Sequence, residues 1–153
     1  HTRTIGSILD EIRNGQHAPT VAAVRQPGLC DEQRQSRKRE LPAFQASGTS
    51  KRSHGAIDFL LHSGLLQIDL DHVGEEKAVA LRNAIGRDAH ILAAFISPSG
   101  NGVKALLRIP ASKETHLAAF AAAADYVGVR YGLEIDARCK DISRLCFVSH
   151  DPG

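Results

Sequence analysis

Leu66-Gln67-Ile68-Asp69-Leu70-Asp71 decides how the rest of the chain is read. The run has the apolar content of a strand, and it ends on two acids spaced by two. Strand side chains alternate, so Asp69 and Asp71 share one face while Ile68 and Leu70 take the other. Two carboxylates on one face pack poorly, but they make a cradle for a hard divalent cation such as Mg²⁺ or Mn²⁺. A strand end running into a polar turn has the same pattern, so the flanking sequence must decide between the two.

Downstream, residues 75–85 carry Ala78, Leu81 and Ile85 at helical spacing, with acids near the start and Arg82 and Arg87 near the end. Residues 91–96 read as a buried strand and 97–102 (Ser-Pro-Ser-Gly-Asn-Gly) as a turn. Residues 103–109 are the returning strand. Residues 112–131 predict a long helix with Leu117, Phe120, Ala121 and Ala124 on one face. Further strands are expected at 133–136 and 145–149. From residue 65 the expected order is strand, helix, strand, strand, helix, strand. The fold class is therefore α+β, with a ferredoxin-like (RNA-recognition-type) βαββαβ core, a mainly antiparallel sheet, both helices on one face and the other face open.

Upstream, Ile5, Ile8, Leu9 and Ile12 mark a helix over 4–13, and 20–25 a second short one. Residues 29–55 read as a polar, irregular segment rich in Arg34, Arg37, Lys38, Arg39, Lys51 and Arg52, suited to nucleic-acid phosphate or simply to solvent. Residues 57–62 form a short apolar element. Two parts are expected: 1–56 as helices and basic loop flanking the core, and 57–153 as the core itself.

The bulk numbers fit this reading. The chain has 153 residues, 42% hydrophobic, with a formal net charge of +2, ordinary for one folded domain and permissive of a polyanionic partner. No apolar run approaches the roughly 18 residues of a membrane span. Three cysteines, Cys30, Cys139 and Cys146, are too few for a disulfide framework or a Cys-rich zinc site, so a reducing cytoplasm is the expected setting. The chain opens on His1 and holds no Met, as expected of a trimmed piece of a longer protein.

Pleating the expected strands gathers Asp69, Asp71 and Asp136 with Lys104 and Arg108 on the open face. Carboxylates beside cations suit a metal–polyphosphate site. The 97–102 turn lies at its edge, where glycines allow close backbone approach and N–H groups and hydroxyls can meet phosphate. The same turn would also serve an ordinary hairpin. His62, His72, His90, His116 and His150 lack metal-ligand spacing and read as surface or structural, with His72, beside Asp71, the exception to inspect.

These residues resemble a known family. Asp69-Leu70-Asp71, Ser97-Pro98-Ser99-Gly100-Asn101-Gly102-Val103-Lys104 and Ile135-Asp136 resemble the three ordered motifs of the archaeo-eukaryotic primase superfamily. The closer likeness is to the VirE N-terminal-type, primase-polymerase-like domains of bacterial mobile elements and phages. Lys38-Arg39-Glu40-Leu41-Pro42 with Ser47-Gly48, and the run from Asp141-Ile142-Ser143-Arg144 to Asp151-Pro152, resemble that group's outer signatures, so the likeness spans about Ile5 to Pro152. It implies a DNA primase or primase-polymerase in which Asp69, Asp71 and Asp136 hold two Mg²⁺ or Mn²⁺ ions. Ser97, Ser99, Gly100, Gly102, Lys104 and Arg144 would bind a nucleoside triphosphate, and Lys38, Arg39 and Arg108 a single-stranded DNA template. A fused or associated helicase-type ATPase is a further expected partner. Lys104 stands where the superfamily has His; a lysine supplies a point charge but not neutral-pH acid–base chemistry. A non-catalytic nucleotide- or DNA-binding module and a nuclease are the competing readings.

Overall fold

The stretch around Asp69 is the outer strand of a three-stranded antiparallel sheet. The computed structural model describes residues 2–51 and 55–153; His1 and Arg52 lie outside them. Strands β4 (Leu65–Leu70), β5 (Ile91–Ile96) and β6 (Val103–Arg108) associate in the order β4-β6-β5, and α4 (Glu75–Gly86) makes the crossover from β4 to β5. The last strand of the hairpin thus inserts between the two strands of a β-α-β unit. Leu66, Ile68, Leu70, Val103, Ala105 and Leu107 point to one face, where α4 and α5 (His116–Tyr131) cover them with Ala78, Ile85, Ala123 and Val127. Burying each large apolar side chain there is worth about 1.5–3 kcal/mol before entropy is charged against it.

The expected strand at 133–136 does not form. Only four residues separate the end of α5 from Asp136, whose carboxylate caps the 3₁₀ turn Ala137–Lys140 by accepting the Arg138 N–H. The segment is left with a single recorded backbone tie to the sheet, from the Asp136 N–H to the Asp69 carbonyl at 2.9 Å. It runs beside β4 without extending the ladder.

The sheet's second face is not open. Leu65, Phe95 and Leu106 point there and need cover. Helices α1 (Ile5–Asn14) and α2 (Ala18–Val24) supply it with Ile8, Ile12, Val21 and Val24, aided by Leu41, Ala46, Cys146 and Val148. The terminal strand β7 (Leu145–Phe147) pairs with β1 (Ala43–Gln45) instead of joining the main sheet, and β2 (Gly48–Ser50) pairs with β3 (Phe59–His62). Gly48 is fixed by space: a Cβ would lie 2.0 Å from the Leu61 carbonyl oxygen.

The described part of the expected polar segment, residues 29–51, is likewise more ordered than its composition predicts. Asp31–Lys38 is a helix, α3, with no buried residue. Asp31 and Glu32 at its start and Arg37 and Lys38 at its end match the helix dipole. Arg34 and Arg37 donate to the Val24 and Ala23 carbonyls at 2.7 and 2.8 Å, capping the end of α2. Two of the basic residues are thereby committed to holding helices together.

Two polar clusters anchor α5. Asp88 accepts from the hydroxyls of Tyr126 and Tyr131, both at 2.7 Å, and from the His90 N–H at 2.9 Å. Burial works against the charge, but these donors hold the Asp88 carboxyl far below the usual range, while the Tyr131 hydroxyl is pushed up to about 12. At the helix's other end, buried His62 Nε2 meets His116 Nδ1 at 3.0 Å. Burial lowers both imidazoles, and His62 lowers His116 further. No helix among the described residues is long and apolar enough to cross a membrane.

Candidate functional site

Asp69 and Lys104 are direct cross-strand partners in the β4–β6 register. Their side chains form an ion pair, and both residues are about 95% buried. Gln67, two residues back on the same face, donates to the other Asp69 oxygen at 3.2 Å. Burial pulls the Lys104 ammonium down. The Cys146 sulfur, where ionised, and the Asp69 carboxylate more than reverse this and leave it above the ordinary lysine value. Burial pushes the Cys146 thiol up to about 12, so at neutral pH it carries no charge and Asp69 is the partner that counts.

Asp136 arrives from the loop after α5. One of its carboxylate oxygens, one of Asp69's and the Cys139 sulfur all lie within 4.8 Å of one another. Arg138 grips Asp136 through Nε at 2.8 and 3.0 Å and through Nη2 at 2.7 Å, and Arg144 stands 3.6 Å away. Burial alone would raise Asp136, but these arginines and the Arg138 N–H hold it below the ordinary carboxylate value. Arg144 therefore pairs with Asp136 and not with Asp141, whose carboxylate is occupied by the Ser143 N–H and hydroxyl.

Asp71 lies one residue past β4, exposed and outside the Asp69–Asp136 group. It still acts on the site through charge, since it raises both Lys38 and Arg138. The following residue, His72, has φ 59°, the one left-handed non-glycine among the described residues. The turn at 97–102 is fastened beside it. The Asn101 carbonyl accepts from the Val73 and Gly74 N–H groups at 2.9 and 3.1 Å. A Cβ on Gly102 would stand 2.7 Å from the Leu70 carbonyl oxygen and 3.4 Å from Asp71 Cα. The hydroxyls of Ser97 and Ser99 lie 3.0 Å apart, and Ser99 donates to Asn101 at 2.7 Å. The N–H groups of Ser97 and Gly100 are already spent on the turn's own carbonyls. Any anion held by this turn must use its hydroxyls and remaining amides.

The expected template cations separate. Lys38 packs over the Phe147 ring at 5.4 Å and belongs to the site. Burial lowers its ammonium, as does Lys104, against the pull of Asp69 and Asp71. Arg39 is exposed at the end of α3. Arg108 is four residues along β6 from Lys104, roughly 13 Å away, and donates to the Ala89 and Ile91 carbonyls at 3.3 and 2.8 Å. The structure does not bring Arg108 to the carboxylates.

Several participants escaped the sequence. Arg138, two residues after Asp136, had a visible signal in its spacing. Arg25 had none: from the end of α2 it donates to the Ser97, Pro98 and His150 carbonyls at 3.1, 3.2 and 3.3 Å, bracing the turn from below. Two buried polar atoms among these residues have no hydrogen-bond partner: Gln67 Oε1, on a side chain bonded to Asp69, and Arg144 Nε, on a side chain paired with Asp136.

These orphans bear on what the site can hold. Asp69 and Asp136, with the unpaired Gln67 oxygen on the side chain next to Asp69, are the residues that could hold one hard cation. The Cys139 sulfur lies in the same group, but a soft sulfur suits a hard cation less well than the two carboxylates do. Asp71 lies apart from the pair, so among the described residues the carboxylates gather as two plus one rather than as three.

The profile of one protein family, described as BT4734-like, N-terminal domain, matches residues 36–153. The chain belongs to that family. No curated protein and no solved structure matches the chain significantly. The BT4734-like match begins inside α3, so it takes in Lys38, all three carboxylates and the 97–102 turn. Arg25 and the helices α1 and α2, which roof the sheet's second face, lie before it.

Proposed function

We propose that this BT4734-like domain is a metal-dependent nucleotidyltransferase of the primase-polymerase type, acting on nucleoside triphosphates over a single-stranded DNA template. The observation that carries the reading is the meeting of Asp69 and Asp136 with Lys38, Lys104, Arg138 and Arg144 beside the 97–102 turn, with a buried donor, Arg144 Nε, left unpaired.

Asp69 and Asp136, with Gln67 Oε1 beside them, would hold a divalent cation, and Asp71 would reach the outer side of the site. A bound Mg²⁺ or Mn²⁺ supplies charge neutralisation at a transferring phosphoryl group and acidifies a coordinated hydroxyl. Arg144, through its unpaired Nε, and Lys38, poised over Phe147, would take the triphosphate oxygens. The Ser97 and Ser99 hydroxyls would orient them at the strand end. Lys104 would hold Asp69 in place and neutralise it until a cation competes for the same oxygen. Exposed Arg39 lies next to Lys38 and would contact the template backbone. Such binding falls steeply with salt.

A second reading is a binding module that keeps the site without the chemistry. Burial of Asp69 against Lys104 favours it, since the best-placed carboxylate is already neutralised. Primer synthesis on single-stranded DNA with Mg²⁺ or Mn²⁺, comparing wild type with Asp69→Ala, separates the two. Elongated products lost in the variant support transfer. Nucleotide binding that is independent of divalent metal, with no product, supports the module. Shortened DNA would point to a nuclease.

A further inference from the structure

A cavity of about 360 Å³ lies between α1, α4 and the free edge of β5, and it shares no residue with the carboxylate site. Its floor is apolar, with Leu9, Leu92 and Phe95, and its rim carries Arg13, Arg82 and Arg87. That size and make-up suit a small molecule with an apolar body and one anionic group. β5 pairs only with β6, so alternate N–H groups face this cavity side. The Ile96 N–H shows what the edge can hold: it donates to an Asp151 carboxylate oxygen at 2.8 Å, with Arg82 Nε 3.3 Å from the same oxygen. A carboxylate from the C-terminal segment is thus already bound by one edge amide and one arginine.

Two residues along the same edge a second amide faces the cavity. The Ala94 N–H points the same way as that of Ile96, and Ala94 lines the cavity. The Arg87 guanidinium has no hydrogen-bond or carboxylate partner among the described residues, and that of Arg13 has only Asp10, 3.7 Å away, with the Arg13 and Asp10 side chains both about two-thirds exposed. Asp151, the one acid lining the cavity, is occupied by Arg82 and by the Ile96 and Gly153 N–H groups. We propose that this cavity binds a phosphate monoester, with the Ala94 N–H, Arg13 and Arg87 holding the phosphate and Leu9, Leu92 and Phe95 taking its organic group. A monoester is close to dianionic at neutral pH and matches two arginines that lack a buried counter-charge. The inference does not depend on the nucleotidyl-transfer reading.

The test uses the whole chain, with phenyl phosphate as the probe. Amide NMR should show a saturable shift at Ala94 and Phe95. Calorimetry should show affinity weakened about tenfold in Arg87→Gln and in Arg13→Gln, the loss of one charge-assisted contact. Both arginines are exposed, so neither substitution threatens the fold. Inorganic phosphate should bind more weakly than phenyl phosphate. Absence of a saturable shift at millimolar probe overturns the proposal. So does binding that survives both substitutions, or a shift confined to Ser97 and Lys104. Equal affinity for inorganic phosphate removes the role given to the apolar floor and overturns the monoester assignment.

Discussion

Replacing Lys104 with Met tests the centre of the site. The side chain keeps its bulk between Asp69 and Cys146 but loses its charge, so the buried Asp69 carboxylate is left with only the Gln67 amide as a donor. Removing one member of a buried pair costs about 3–5 kcal/mol, because the remaining charge stays desolvated. For a chain of this size that is a fall in Tm of roughly 6–20 °C. The same change frees an oxygen for a cation. A Mn²⁺ concentration a hundredfold above its Kd should return about 2.7 kcal/mol to Lys104→Met. Wild type should gain less, since there the cation must displace the ammonium. Adding Asp69→Asn to Lys104→Met should recover much of the loss without metal, because no buried charge remains. Urea unfolding followed by circular dichroism, with and without Mn²⁺, reads all three proteins. A cost below about 1 kcal/mol for Lys104→Met, or equal Mn²⁺ stabilisation of wild type and variant, would refute the account of this pair as a metal surrogate.

Asp88→Asn should cost about 2 kcal/mol in urea unfolding, since two tyrosine hydroxyls lose a charged acceptor. The folded Asp88 titrates below the unfolded group, so its contribution is full above about pH 4 and drains away as pH falls further; the variant should be flatter over that range. The His62–His116 pair acts at milder pH. Both are lowered in the fold, so the unfolded chain takes up protons first and stability should fall as pH drops below about 6.5. His116→Gln should reduce that slope, and an unchanged profile would rule the pair out as its source. Gly102→Ala should cost about 1–3 kcal/mol by forcing a methyl against the Leu70 carbonyl. It should also weaken any nucleotide binding by displacing Asp71; a full-affinity variant would detach the turn from the site.

The parts legible in the sequence were those whose periodicity matched their burial. β4, α4, β5 and β6 fall within a residue or so of their expected limits, because apolar side chains recur at two or near 3.6 along each. Helix α3 was hidden because every residue in it is polar; it stands on its dipole and on arginines bonded to another helix. The second face of the sheet was misread because Lys104 and Arg108 flank Leu106 and make the strand look solvated. Lys104 is nevertheless buried, its charge met by Asp69, and Phe95 on the neighbouring strand already demanded cover. Asp69 and Lys104 could be named together because strand alternation put both on one face, as their cross-strand register has it, whereas Asp136 was reached through an expected strand that does not form. The bracing by Arg25 could not be named, because it joins residues more than seventy positions apart with no pattern between them.

The pairing of β1 with β7 has a consequence for how the chain matures on the ribosome. The two strands, Ala43–Gln45 and Leu145–Phe147, lie far apart in the sequence, and each has the other as its ladder partner. Until residues 145–151 have left the exit tunnel, β1 has no ladder, Phe95 lacks Cys146 and Val148, and the Ile96 amide lacks the Asp151 carboxylate. The nascent protein therefore holds a half-roofed sheet in which Asp69 and Lys104 are still hydrated. Desolvation of that pair waits until the segment from β7 to Asp151 has emerged, and a chain cut before β7 would leave the site wet.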